Sequence, residues 1–466
     1  MTPLLSLLLV HDYLFSRSNI AASKDHPLKI AVLRHKARLS SEFTKARIRR
    51  KCATVSQLKV SLAGNRNSSI ILQPRWVRIN GLVSDGKDLF PGYSNQPVLK
   101  TLMTTYTGQS GYHQDKYIPD LLALPPGTDL TTSAEYKVGK IILQDKASCF
   151  PAHLLLGEEN EEVGDVIDAC AAPGNKTTHL ASILWSRGRK HLNQLLDRPL
   201  NRVFACERDP RRSEILQKMV HVAAGENVVT VMPKQDFFAL DLDDPRFVNV
   251  THLLLDPTCS GSGIVGREDI PKLNLPEDPR SKGNKLPAKT KNGVSDAKLK
   301  KRKRDEDVKS SEPLVGLEEE EEPKEIDEER LQKLSNLQTR IIERAMSFPA
   351  ARRITYSTCS LHTIENEMVV ARALQSTVAK AQGWRLLRRD EQVKGIREWV
   401  HRGVDMVPNS VEEVLTEEER LACVRCYPGT EEGTMGFFVC CFMRNNLTES
   451  NAGNDPDEDE WGGIDN

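Results

Sequence analysis

The sequence predicts an α/β protein built on a doubly wound, mostly parallel sheet. From Tyr136 onward, short runs of β-branched and apolar residues alternate with helical patterns. Such alternation is typical of parallel strands that are joined by helical crossovers. The 466 residues are enough for two or three domains with a sizeable core. No apolar stretch reaches the length of a membrane span, so we expect no membrane association.

Five strands are predicted in the main domain from their apolar and β-branched residues. They are Val163–Asp168, Val203–Glu207, Val228–Val231, Thr251–Asp256 and Arg353–Ser357. Phe437–Phe442 is assigned to a closing hairpin. Helices are predicted from about Thr177, from near Pro210 and over Leu331–Met346, and a long loop is expected over 187–201.

The composition divides the chain into several parts. Residues 1–70 form a helical segment, in which Leu4–Val10 reads as a core helix; by resemblance this segment is similar to a truncated NusB-like domain. Residues 74–135 form a small α/β subdomain, and residues 136–447 form the main domain. Residues 266–329 are rich in charged residues and proline, and they are predicted to be a disordered insertion. The acidic tail, 448–466, is predicted to be disordered as well.

The net charge of zero conceals a segregation of charge. Residues 318–329 hold nine acidic residues and one basic residue, and the tail holds seven acidic residues and no basic one. The remainder is therefore basic, which suits a polyanionic partner such as nucleic acid. Ordinary solvated charge runs explain the pattern about equally well. The cluster Lys298–Arg304 resembles a nuclear-localisation signal.

Ten cysteines are scattered without a regular framework, which indicates reduced thiols rather than a secreted disulfide scaffold. Cys423 and Cys426 form a lone C-x-x-C with no second pair at ligand spacing, so zinc or redox chemistry there is disfavoured.

A turn rich in small residues, Asp168–Lys176, separates the first strand of the main domain from its helix. It lets a ligand approach the backbone at the carboxyl edge of the sheet. The turn has neither Walker nor G-x-G-x-x-G spacing. Glu207 and Asp236 follow at the ends of the next two strands, where they are placed to bind a ribose diol and an adenine amine. Each acid alone is more often a cap or a solvated residue.

Two thiols are expected at the same edge. Asp256 and Cys259 follow the fourth strand, and Cys359 follows the fifth. A lone cysteine after a strand is usually structural. Two thiols beside an acid and a nucleoside pocket instead indicate covalent chemistry, with Cys359 as the nucleophile.

Three stretches, Asp168–Lys176, Asp256–Gly263 and Tyr356–Ser360, resemble the diagnostic motifs of the Sun/Fmu-type RNA cytosine-C5 methyltransferases, the NSUN family. The stretches Arg78–Asn80 and Gly436–Val439 also match its pattern. The resemblance covers about residues 74–265 and 330–445. The helical start and the position of the insertion are most similar to the eukaryotic, fungal-type subgroup that acts on large-subunit ribosomal RNA.

The resemblance implies a Rossmann-like class I methyltransferase fold with S-adenosylmethionine as cofactor. By resemblance, the cofactor lies on the turn and the acids that follow it: Cys170, Ala171, Ala172, Pro173, Gly174, Asn175, Lys176, Glu207, Asp236 and Asp256. Cys359 would add to carbon six of a flipped cytosine, Asp256 would stabilise the base, and Cys259 would help product release. The implied partner is large-subunit rRNA in a nucleolar pre-ribosome, and we expect a monomer.

Three alternatives remain open at this stage: a transfer-RNA substrate, a ribosome-assembly scaffold with dispensable activity, and DNA cytosine methylation. The Thr-Cys context of Cys359 counts against DNA. Val83 stands where the family often has a basic residue, which puts one RNA contact in doubt.

Overall fold

The computed structural model describes residues 2–16, 20–55, 58, 73–87, 89–104, 111–192, 201–264, 328–405 and 414–444. The predicted tail, the Lys298–Arg304 cluster and all but the last two residues of the predicted insertion lie outside this part. The chain forms two compact units, residues 1–70 with 271–326 and residues 71–270 with 327–466. Among the described residues, no helix is long and apolar enough to cross a bilayer.

The N-terminal unit consists of helices Pro3–Phe15, Pro27–Leu33 and Lys36–Arg49 in its described part. Leu4–Val10 is helical as predicted, and the Thr2 side chain caps its helix by accepting from the Leu5 N–H at 3.3 Å. The prediction of a core helix is wrong, because none of the side chains of Pro3–Phe15 is buried. The helix instead makes edge contacts at its end, where Phe15 meets Phe43 with 5.2 Å between ring centroids.

A small five-stranded sheet opens the second unit. Its strands are β1 Arg75–Ile79, β2 Ser94–Asn95, β3 Gly111–Gln114, β4 Leu121–Leu124 and β5 Ile141–Leu143, in the order β2-β3-β4-β1-β5. Helices Leu99–Thr104 and Ala134–Lys137 accompany it. The sheet extends beyond the predicted boundary at residue 135, because the apolar run β5 pairs antiparallel with β1.

The second sheet confirms the predicted doubly wound, mostly parallel architecture. Its strands are β6 Asp165–Asp168, β7 Val203–Glu207, β8 Val229–Pro233, β9 Val250–Leu255, β10 Arg353–Thr358, β11 Trp384–Leu386, β12 Val424–Cys426 and β13 Phe437–Arg444. The order is β11-β13-β10-β9-β6-β7-β8, with β12 on β13. Strands β6 to β10 are parallel, whereas β13 is antiparallel to β10. The strand order reverses between β6 and β9, and ligands bind at the carboxyl ends of strands beside such a reversal.

Helices cover both faces of this sheet. They are Lys146–Leu156, Asn175–Leu192, Pro210–Val222, Glu328–Met346, Glu367–Gln375, Thr377–Gln382, Lys394–Arg397 and Glu417–Ala422. Short 3₁₀ turns occupy Phe237–Ala239, Pro245–Phe247, Thr363–Glu365 and Arg389–Glu391. Leu253 and Leu255 of β9 pack into one apolar cluster with Ile342, and Leu254 packs into another with Leu180, as alternation along a strand requires.

Two helix boundaries differ from the prediction. The helix after β6 runs to Leu192, so the first six residues of the expected long loop 187–201 are helical. The helix before β10 begins at Glu328, inside the segment assigned to the insertion. Its acidic first turn favours a helix N-terminus, so the run of charge concealed the start of the element.

Candidate active site

Two cysteines meet at the carboxyl edge of the large sheet. Cys359 directly follows β10, and Cys259 lies in the loop that follows β9. Their Sγ atoms are 3.1 Å apart, and both side chains are half-buried. The pair is therefore accessible to a ligand, as a nucleophile must be.

Backbone contacts hold the two thiol loops together. The Gly263 N–H donates to the Cys359 carbonyl at 2.9 Å, and the Gly436 N–H donates to the Gly263 carbonyl at 2.8 Å. A Cβ on Gly263 would lie 2.4 Å from the carbonyl oxygen of Gly436. Only glycine fits so close an approach of two backbones.

A buried carboxylate anchors the Cys259 loop from below. Glu365 is fully buried, and its Oε1 accepts from the Ser260 N–H at 2.9 Å while its Oε2 accepts from the Ser260 hydroxyl at 2.5 Å. Gln338 Nε2 also donates to Glu365 Oε1, at 3.1 Å. Charge-assisted hydrogen bonds of this kind are stronger than neutral ones, so they fix the residue next to Cys259.

A second buried set anchors the Cys359 loop. Asn366 Oδ1 accepts from the Thr358 hydroxyl at 2.6 Å, and its Nδ2 donates to the Ser360 carbonyl at 2.9 Å. Arg425 donates to the Leu361 carbonyl at 3.0 Å and forms a two-point ion pair with buried Glu367. The backbone is thus held on both sides of Cys359.

Asp256 lies beside the thiols and has a partner on each oxygen. Lys176 Nζ is 2.7 Å from Oδ2, and the Ser357 hydroxyl donates to Oδ1 at 2.7 Å. Burial alone would lower the pKa of Lys176, but the charge and hydrogen bond of Asp256 outweigh it and raise that pKa. Lys176 is therefore a fixed positive charge, 5.3 Å above the Phe437 ring.

The two thiols differ in acidity. The hydrogen bond from Cys259 lowers the pKa of Cys359 below its ordinary value, helped by the charge of Lys176 and opposed by burial and by Asp256. The same hydrogen bond, together with burial, raises the pKa of Cys259. Because the thiolate is the nucleophilic form, a lowered pKa suits Cys359 to act as a nucleophile.

The turn after β6 has the properties of a ligand cradle. Helix Asn175–Leu192 starts within it, and the Ala172–Pro173 peptide bond is cis. Gly174 has φ +115°, and a Cβ there would press on Met219 and Leu216 at 3.0–3.1 Å. Burial raises the pKa of Cys170, so this residue stays a neutral thiol. Asn175 Oδ1 is buried and has no hydrogen-bond partner in the described part of the chain, which leaves it open to a ligand donor.

The two downstream acids are placed differently from each other. Glu207 ends β7 as predicted and is buried, with the Asp209 N–H donating to Oε1 at 2.8 Å and Arg212 3.3 Å from Oε2. The prediction that Asp236 ends a strand is wrong, because β8 ends at Pro233. Asp236 instead caps a 3₁₀ turn by accepting from the Phe238 N–H at 3.0 Å.

Three site residues were missed by sequence reasoning. Asp168 binds the Thr177 hydroxyl at 2.7 Å, and burial raises its pKa to about 6. Ser357 orients Asp256, and Glu365 orients the Cys259 loop. Local sequence does not mark Glu365, because its partners Ser260 and Gln338 lie 105 and 27 positions away. Cys423 and Cys426 are buried apolar-cluster residues.

Comparison with known proteins gives a consistent result. Family models described as "16S rRNA methyltransferase RsmB/F" and "NOL1/NOP2/Sun domain family member 5, ferredoxin-like domain" match residues 153–281 and 73–144. The chain is 33% identical to the Schizosaccharomyces pombe "25S rRNA (cytosine-C(5))-methyltransferase rcm1", over 93% of this chain and 75% of the relative. It is 31% identical to a Mus musculus "28S rRNA (cytosine-C(5))-methyltransferase", over 90% of this chain and 72% of the relative. A Saccharomyces cerevisiae "Multisite-specific tRNA:(cytosine-C(5))-methyltransferase" is 25% identical over 66% of this chain and 40% of the relative.

Proposed function

Since this chain belongs to the family of rRNA cytosine-C5 methyltransferases, we propose that it forms 5-methylcytosine in large-subunit ribosomal RNA through a covalent intermediate on Cys359. The observation that carries the proposal is the thiol pair of unequal acidity beside the Asp256–Lys176 ion pair. A thiolate, a partner thiol and a fixed ion pair at one sheet edge are the groups that addition to a pyrimidine ring requires.

Cys359 opens the reaction. The target cytosine leaves its stack and enters the site, since its ring carbons cannot be attacked inside a helix. The Cys359 thiolate adds to carbon six, and the electron pair of the ring double bond moves to carbon five, which becomes nucleophilic. S-adenosylmethionine, when bound, supplies the methyl group that carbon five takes. Loss of the carbon-five proton then restores the double bond and expels Cys359 as a thiolate.

Asp256 and Cys259 assist these steps. Asp256 is proposed to hold the ring nitrogen and the exocyclic amine, so that negative charge on the ring is stabilised as the sulfur adds. Lys176 and Ser357 keep that carboxylate in a single orientation. Cys259 is held 3.1 Å from the departing sulfur and is proposed to help release the methylated product.

The turn after β6 fits the cofactor. We propose that Cys170, Ala171, Ala172, Pro173, Gly174, Asn175 and Lys176 cradle it, with Glu207 at the ribose, Asp236 near the adenine and Asp256 at the methyl end. The support is the unpartnered Asn175 Oδ1, the positive φ of Gly174, which a residue with a side chain would rarely adopt, and the buried acid at the end of β7. The cap made by Asp236 uses Oδ1, and its Oδ2 lies 3.6 Å from the exposed Arg208, an ion pair that a bound adenine amine would have to displace.

Ribosomal RNA is favoured over transfer RNA as the substrate. The two rRNA-named relatives align over nine-tenths of this chain, whereas the tRNA-named relative aligns over two thirds and at lower identity. We propose that the small sheet and the basic helix Lys36–Arg49 contact the RNA. We also propose a nucleolar location and a monomeric state, the latter testable by light scattering.

Bisulfite sequencing of total RNA tests the assignment. Cells without the gene should lose one 5-methylcytosine in large-subunit rRNA, and the wild-type gene should restore it while the Cys359→Ala gene should not. Loss confined to tRNA would support the tRNA alternative, and no loss at all would contradict the proposal. If cells that carry Cys359→Ala grow normally while cells that lack the gene grow slowly, the protein also contributes to ribosome assembly as a scaffold, independently of its activity.

A further inference from the structure

A second cluster of chemistry-bearing side chains lies away from the thiol pair. Asp120, His153 and His179 each offer a ligand atom, and the three atoms lie within 4.8 Å of one another. His153 Nε2 is 3.4 Å from Asp120 Oδ1, and His179 Nε2 is 3.2 Å from Asp120 Oδ2. Among the described residues, these three form the group that is placed to hold a metal ion.

His179 lacks the partners that a buried histidine normally has. Its side chain is completely buried in the helix Asn175–Leu192. Neither ring nitrogen has a hydrogen bond of good geometry within the described part of the chain. An unsatisfied buried nitrogen is destabilising, so a ligand at Nε2 would account for this placement.

We propose that Asp120, His153 and His179 bind a divalent cation of the zinc class. Bonds of about 2.0–2.1 Å in a tetrahedral site place neighbouring ligand atoms about 3.3 Å apart. Here the two imidazole nitrogens face different oxygens of Asp120, at 3.4 and 3.2 Å, and the three ligand atoms lie within 4.8 Å of one another, so they would draw closer together around an ion. Two imidazoles and one carboxylate are ligands that zinc accepts. Asp120 and His153 also line an open cavity, from which a water molecule would supply the fourth ligand.

The surrounding charges are compatible with a cation. Arg78 is the nearby positive group, but its guanidinium is engaged by Gln144 Oε1 at 2.7 Å and by the Thr178 hydroxyl at 3.0 Å. Glu158 and Glu159 line the same cavity. Its lining holds five acidic residues in all, with Asp85, Asp120 and Glu398, and four basic ones, Lys116, Arg187, Arg189 and Lys394, so the cavity is close to balanced in charge.

The bound ion would connect three segments of the second unit. Asp120 precedes β4 in the small sheet, His153 belongs to helix Lys146–Leu156, and His179 follows the cofactor turn by three residues. The ion would therefore be structural. It would join the small sheet to the helix that starts at the cofactor turn, and it would take no part in methyl transfer.

Cobalt binding tests the site, because Co²⁺ replaces zinc and reports its ligands by colour. The full-length chain, with any affinity tag removed and metal stripped by chelator, is titrated with Co²⁺. We expect one ion per chain, visible bands of a tetrahedral nitrogen and oxygen site, and a higher Tm in Zn²⁺. Absence of stoichiometric binding would overturn the proposal.

Variants locate the ion. His153→Gln and Asp120→Asn should each weaken Co²⁺ binding at least tenfold while far-UV circular dichroism shows a folded chain. His221→Gln, an exposed histidine outside the cluster, should bind as wild type does. Because thiols also bind these metals, the Cys259→Ser/Cys359→Ser double variant should retain the ion. Loss of binding in that double variant, or full binding in both cluster variants, would overturn the assignment.

Discussion

The Sγ atoms of Cys259 and Cys359 lie 3.1 Å apart, although one hundred positions separate the two residues in the chain. Parallel pairing of β9 with β10, which places Leu255 opposite Tyr356, delivers both loops to the same sheet edge. The carboxyl ends of parallel strands always meet in this way. The pairing of the strands thus brings the two thiols to the same place, and the hydrogen bonds of the two loops set the final distance between them.

Replacement of Cys359 with alanine should abolish methyl transfer, because it removes the thiol whose pKa is lowered and leaves Cys259, whose pKa is raised. Binding of S-adenosylmethionine should stay within about twofold of wild type, since the cradle Cys170–Lys176 is untouched. Incorporation of labelled methyl groups into rRNA fragments and calorimetry of cofactor binding measure the two effects. Residual turnover above a few per cent would remove Cys359 from the proposed mechanism.

Replacement of Cys259 with alanine should separate addition from release. Cys359 can still add to the base, but the proposed assistance in release is lost, so a covalent RNA–protein complex should accumulate. A mobility shift that survives denaturation detects the complex, and the Cys259→Ala/Cys359→Ala double variant is the matched control. If the single variant turns over normally without an adduct, Cys259 has no part in release.

Glu365 should act as a positioning residue for the Cys259 loop. Glu365→Gln keeps the size but weakens both bonds to Ser260, and we expect kcat to fall by about tenfold, equivalent to about 1.4 kcal/mol in the barrier. KM for RNA should change little, because Glu365 is buried beneath the site. Glu329→Gln, on an exposed face, is the control. A change confined to KM would contradict the positioning role.

Much of this arrangement could be predicted from the sequence, because strand patterns are local. The runs before Asp168, Glu207 and Cys359 are β-branched and apolar, and each forms the predicted strand or most of it. Alternation of strands and helices then fixes a parallel sheet, and with it the edge where the thiols meet. The pairing of Cys259 with Cys359 followed from topology alone.

The parts that could not be predicted depend on long-range contacts. Glu365 bonds to a residue 105 positions away, and its partner Ser260 gives no local indication of this. The apolar run Val228–Val231 predicts a strand that ends at Asp236. The Asp236 side chain instead accepts a hydrogen bond from the backbone two residues on and caps a 3₁₀ turn, as aspartates often do. The cluster around His179 was missed because its members are far apart in sequence and share no spacing.

The buried Arg425–Glu367 ion pair should contribute strongly to stability. Both side chains are almost fully buried, so Arg425→Met would leave an uncompensated carboxylate and should lower the free energy of unfolding by about 3–5 kcal/mol. Lys333→Met removes the exposed ion pair between Lys333 and Glu329 and should change the free energy of unfolding by less than about 1 kcal/mol. Chemical denaturation measures both variants, and Arg425→Met/Glu367→Gln should recover part of the loss. Equal effects from the two single variants would contradict the burial argument.

The pH at which Cys359 becomes reactive should reflect the hydrogen bond from Cys259, which lowers its pKa, and should respond to its two charged neighbours. Its pKa lies below the ordinary value, so alkylation should rise with pH at a midpoint below about 8.5, the value for an unperturbed thiol. Lys176 favours the thiolate and Asp256 opposes it, so Lys176→Met should move the midpoint up and Asp256→Asn should move it down. The rate of modification of the Cys359 peptide by iodoacetamide, followed by mass spectrometry from pH 5 to 10, measures both shifts, and exposed Lys333→Met should leave the midpoint unchanged. Shifts of the same sign in the two site variants would show that something other than these charges sets the acidity of Cys359.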